Sequence, residues 1–154
     1  MMQEILLTQN QTQLILRLFS KVMTRGWWHR LFAWLTRRTS QLLVLDETLR
    51  SAEVERSHYA GLRAVEIERI RGTEGKADAF DDAFHPVSEK CRDRWLRVAR
   101  EKLSGHALPP VELIDVDGTY YVRDGHHRIS VARSLGESNI DAEVIVMELY
   151  RRIQ

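Results

Sequence analysis

Residues 118–146 read GTYYVRDGHHRISVARSLGESNIDAEVIV, and the order of patterns inside this stretch decides the fold class. TYYVR has the aromatic and β-branched composition of a short strand. Asp124 and Gly125 break it, HHRISVARSL follows as a helix closed by Gly136, and DAEVIVMEL returns to a strand. Strand, helix and strand in that order form a βαβ-like unit, so a mixed α/β fold is expected.

Working outward, VELIDV, the Asp117–Gly118 pair and TYYVR together predict a β-hairpin. Before it, SEKCRDRWLRVAREKL places Cys91, Trp95, Val98, Ala99 and the stem of Lys102 on one helical face, with Asp93 and Arg97 at i,i+4 and Gly105 past the end. Alternation in AVEIERI predicts a strand over about 64–70, and the charged segment 46–62 reads as helical or connecting. RGTEGKADAFDDAFHP between them is expected to be a long loop, anchored in the core by Phe80 and Phe84.

The first 45 residues have a different character. QTQLILRLFSKVM sets Leu14, Leu18 and Val22 in one row, Ile15, Phe19 and Met23 beside it, and Arg17, Lys21 and Arg25 in another, which predicts an amphipathic helix ending at Gly26. WWHRLFAWLTRR then forms a second helix, apolar over most of its circumference. The segment carries six basic residues against Glu4 alone, whereas the rest of the chain is mildly acidic. We therefore divide the chain into a basic, aromatic helical extension over 1–45 and an α/β domain over 46–154. Such an extension packs on the body or on a second copy in a homodimer, or it uses aromatics and arginines together on single-stranded nucleic acid or at a lipid interface.

At 154 residues the chain has room for one core. Its lone cysteine, Cys91, excludes an internal disulfide and fits a reducing compartment. No run approaches the roughly 20 apolar residues of a membrane span, and no secretory leader pattern opens the chain, so a cytoplasmic location is expected.

The DGHHR turn carries the chemistry. The first turn of a helix exposes amides without intrahelical partners, and the helix dipole makes that end electropositive. Gly125 allows close backbone approach, and Arg128 offers a planar fork suited to phosphate oxygens. His126 and His127 project about 100° apart, so at most one is expected to face a ligand beside Arg128. Asp124 is a natural N-cap as well as a candidate ligand. Adjacent histidines lack the i,i+4 spacing of a helical zinc pair, and no metal site is assigned to them.

These residues also carry a family resemblance. The stretch 118–146 resembles the core of the ParB/sulfiredoxin fold, and the resemblance extends over about 60–147. In ParB partition proteins the turn reads Gly, Glu, Arg, Arg, with a small residue one helical turn later and a glycine at the helix end; here Gly125, His126, His127, Arg128, Ala132 and Gly136 take those places. Sulfiredoxins have Gly, Cys, His, Arg at the turn and use the cysteine for redox chemistry. His126 stands in that place here, and Cys91 on another helix is no substitute, so reduction of sulfinic acids is not expected. The helix-turn-helix region that follows the core in ParB has no counterpart in this sequence, so centromere binding by that route is not expected either.

The resemblance implies a ParB/sulfiredoxin-like mixed α/β fold with an added N-terminal helical segment, and a pocket for nucleotide phosphates, with ATP or CTP and Mg2+ as its ligands. Phosphotransfer or NTP hydrolysis at the turn would use Glu74, His126 and His127. Binding would use Lys76, Asp124, Gly125, His126, His127 and Arg128, with the loop after residue 70 as the second wall and Asp78 or Asp81 holding magnesium. Two other functions fit the same turn: nucleic-acid binding or nuclease-like activity with the basic segment adding affinity, and a nucleotide-sensing regulatory module.

Overall fold

The computed structural model describes residues 1–75 and 78–150, apart from the side chains of residues 4, 6 and 7. The elements in chain order are α1 (Met2–Leu35), β1 (Leu43–Val44), α2 (Leu45–Leu49), β2 (Val54–Glu66), β3 (Ile70–Thr73), α3 (Arg92–Leu103), β4 (Val111–Val116), β5 (Thr119–Asp124), α4 (His126–Ser134) and β6 (Asn139–Leu149). Short 3-10 turns at Ile67–Arg69 and Glu89–Cys91 precede β3 and α3.

The strands form one mixed sheet in the order β1-β3-β5-β4-β6-β2. The expected hairpin is β4–β5, and its turn residues Asp117 and Gly118 both have positive φ, as a type I′ turn requires. The strand–helix–strand unit differs from a parallel crossover. β4 lies between β5 and β6, antiparallel to the first and parallel to the second, so β5 and β6 run in opposite directions.

Alternation along β4 and β5 separates two apolar layers. Val111, Leu113, Tyr120 and Val122 pack with Ile129 and Ala132 of α4, while Ile114, Val116 and Tyr121 face the opposite side beneath Leu45. A third cluster joins α1 to α3 and α4 through Ile15, Phe19, Val22, Trp95, Ala99 and Val131. Trp95 is completely buried, and its Nε1 donates to Ser130 Oγ at 2.9 Å, which satisfies the one polar atom that its burial would otherwise strand.

Three expectations change. Gly26 does not end a helix: α1 runs unbroken over 34 residues, and Gly26 sits where a Cβ would come 2.7 Å from His85 Cβ, so it serves close packing instead. The segment after residue 53 is the long strand β2, which lies at the sheet edge and is exposed on most positions, so it shows no clear alternation before residue 64. The strand expected over 64–70 is divided by the 3-10 turn at Ile67–Arg69. Residues 1–45 supply α1 with three buried residues of the α1–α3–α4 cluster, and β1, which pairs with β3.

Candidate functional site

Gly125 sits at φ 110°, and a Cβ there would lie 2.5 Å from Val111 Cγ1. Only glycine turns β5 into α4 at this spot without displacing the first residue of β4. Among the described residues no side chain caps α4, so the amides of its first turn keep their donor capacity. They open on a cavity of about 180 Å³ lined by Phe80, Arg94, Asp124, His126, His127 and Arg128, among others.

The turn's charged residues are used differently from one another. Asp124 does not cap the helix; its carboxylate accepts from Arg128 Nη2, one helical turn away. Arg128 Nη1 donates to the carbonyls of Pro109 and Pro110, both at 2.7 Å. The guanidinium expected to fork onto a phosphate thus ties α4 to the segment leading into β4. Pro109 and Pro110 have no N–H of their own, and their carbonyls are acceptors that the strand ladder does not engage until Val111.

His126 is held by Thr73, with Nε2 2.9 Å from the buried Oγ1 at the end of β3, and it stacks near Phe80. His127 packs edge-on against Phe80, ring centroids 5.0 Å apart, and has no hydrogen bond among the described residues. Burial lowers the pKa of both rings, that of His127 down to about 4, with Arg94 adding to the effect. At neutral pH both imidazoles are therefore uncharged. His127 keeps a ring nitrogen free to accept a hydrogen bond.

Glu74 lies just past β3, where Arg123 Nε and Nη2 donate to its two oxygens at 2.9 Å each. The Arg123 hydrogen bonds hold its carboxyl below the usual range. Lys76 lies outside the described residues. Asp81 is buried, and its oxygens accept from the amides of Ala83 and His85 and from Arg30 Nη1 at 3.2 Å. His85 Nδ1 adds a fourth contact at 3.1 Å, which leaves Asp81 little capacity for magnesium. Asp78 is exposed. Phe80 and Phe84 do anchor the loop in the core, as their spacing implies.

Sequence reasoning did not nominate Arg94. It projects from α3 to the cavity, is exposed, and has no hydrogen bond or ion pair among the described residues. Thr73, the partner that orients His126, was also missed. Cys91 is buried and its Sγ donates to Ala79 O at 3.6 Å; burial pushes the thiol pKa up, which makes it a poor nucleophile.

Taken together, fold and site define a mixed α/β protein whose α4 start is uncapped and faces a guanidinium, that of Arg94, with no partner among the described residues. No family model matches the chain, and no curated protein matches it. Among solved structures, it is similar to sulfiredoxin from Arabidopsis thaliana at 19% identity and a TM-score of 0.37, over 54% of this chain and 82% of that one. A likeness at that level carries no argument about function.

Proposed function

We propose that the cavity at the start of α4 binds the phosphates of a nucleoside triphosphate. The observation that carries this reading is the nine-residue helix α4, opening beside Arg94, where among the described residues neither the helix start has a side-chain cap nor Arg94 a partner. Backbone donors and a dipole end favour an anion, and the planar fork of Arg94 favours one with paired oxygens. Asp124 and Arg128 act by holding the turn in shape.

Phosphotransfer or hydrolysis, in this reading, uses His127 to orient an attacking hydroxyl or water by accepting its hydrogen bond, because its ring is neutral and has no hydrogen bond among the described residues. His126 is set by Thr73 and positions the turn. Glu74 stays with Arg123 at the end of the two strands. ATP or CTP would bring Mg2+ with it. Asp124 is the one carboxylate among the cavity's described lining residues, which suits a cation held mainly by phosphate oxygens and water.

Calorimetric titration with ATP and CTP, each with Mg2+, tests the reading. One ligand per chain is expected, with affinity about tenfold weaker in Arg94→Ala at unchanged melting temperature. Absence of binding by either nucleotide contradicts it. A nucleic-acid backbone is the second reading, favoured by the exposed Arg97 and Arg100, which continue from Arg94 along α3. It predicts affinity for oligonucleotides that falls steeply with salt, whereas a closed nucleotide pocket loses less.

A further inference from the structure

α1 has two faces of opposite character. Ile15, Phe19, Val22 and Ala33 are buried against the body, and Arg30 and His29 fasten the same helix to Asp81 and Asp82. At 100° per residue, Trp27, Trp28, Leu31, Phe32, Trp34 and Leu35 fall on the opposite side. All but the half-buried Leu31 leave more than half of their surface exposed.

Charge brackets this apolar face. Arg17, Lys21 and Arg25 lead into it along the outer side of the helix, and Arg37 and Arg38 follow it. No acidic residue occurs between Glu4 and Asp46, and among the described residues none of these five cations has an ion-pair partner. The fastening of His29 and Arg30 fixes which way the patch points.

We propose that this face of α1 docks on the surface of a bilayer carrying anionic headgroups, with the helix lying in the interface plane. Tryptophan, phenylalanine and leucine side chains enter the headgroup–acyl boundary, and the flanking cations meet lipid phosphates and carboxylates. No helix among the described residues is long and apolar enough to cross a membrane, so the contact is peripheral. A lipid surface suits the patch better than single-stranded nucleic acid. Stacking on bases needs open ring faces along a groove, whereas this is the convex side of a helix. Trp27 and Trp28 pack edge to face at 4.8 Å and 82°, and Leu31 and Leu35 have no ring at all.

The test uses the full chain with vesicles of phosphatidylcholine alone and of phosphatidylcholine with about one third phosphatidylserine. Three exposed tryptophans report on the patch, while the buried Trp95 supplies a constant background. Expected are co-flotation with the anionic vesicles, a blue-shifted emission quenched by brominated acyl chains, and weakening by salt. The double variant Phe32→Ala/Trp34→Ala is expected to lower partitioning by at least about tenfold, with far-UV circular dichroism unchanged. Arg37→Glu/Arg38→Glu, placed beyond the helix, is expected to do the same and keeps the test valid if the aromatic variant misfolds. The proposal is overturned by equal behaviour toward both vesicle types, or by full vesicle binding in both variants. It is also overturned if oligo-dT binds more tightly than vesicles, or if the patch instead forms a lipid-free dimer that the aromatic variant abolishes.

Discussion

Two clusters in this protein are built from the same residue types and end in opposite states. Around Asp81, a buried carboxylate meets Arg30, His85 and two loop amides, with the His29–Asp82 contact at 2.7 Å alongside. At the α4 start, Asp124, Arg128, His126 and His127 stand near Arg94, yet the first-turn amides are uncapped and both Arg94 and His127 lack hydrogen-bond partners among the described residues. His29, Asp81 and Asp82 have ligand atoms close enough together to suggest a metal, but Arg30 already supplies the positive charge there. Residue types therefore do not distinguish a strut from a candidate site; unspent hydrogen-bonding capacity does.

Substitutions should separate the two clusters cleanly. The largest effect is expected at Asp81→Ala, which strands the partly buried Arg30 and two loop amides: a loss of about 3–5 kcal/mol in denaturant unfolding. A destabilisation under about 1 kcal/mol would remove the distinction between the clusters. Gly125→Ala comes next, at about 2–3 kcal/mol, because the residue has φ 110° and its methyl would press on Val111. Arg128→Ala should cost about 2 kcal/mol by freeing the carbonyls of Pro109 and Pro110. Arg94→Ala should leave stability within about 0.5 kcal/mol and weaken nucleotide binding instead. If Arg128→Ala retains full stability and Arg94→Ala loses it, the two arginines have been assigned in reverse.

The histidines give the comparison a pH axis. His126 and His127 are held neutral in the folded chain, so the unfolded chain binds protons more readily below about pH 6.5. Their contribution is fully present above that pH, falls as pH drops toward about 4, and is flat below the folded pKa of His127. Thermal melts between pH 7.5 and 4.5 should show this slope, and His127→Gln should flatten it. An unchanged slope would place the ring in a wetter environment than the cavity indicates.

Much of the fold was legible because its signals are local. The type I′ turn at Asp117–Gly118, the apolar face of α3 and the order of β5, α4 and β6 all follow from neighbouring residues. β2 was not legible, since an exposed edge strand has no buried face to impose alternation. Gly26 misled for a related reason: its use is a close approach to His85, nearly sixty positions away, not a break in its own helix. The site divides the same way. Gly125 and the two histidines announce themselves within five residues, whereas the pairing of Arg128 with Pro109 and Pro110, the Thr73–His126 bond and the presence of Arg94 depend on chain segments brought together only by folding.

Nitrogen-15 amide spectra recorded during titration with Mg2+–ATP test the central claim most directly. Saturable, one-site shifts concentrated at the amides of His126, His127 and Arg128 and at Nε of Arg94 are the predicted result. Shifts that fail to saturate, or that fall on the arginines of α1 while the start of α4 stays unmoved, would contradict it.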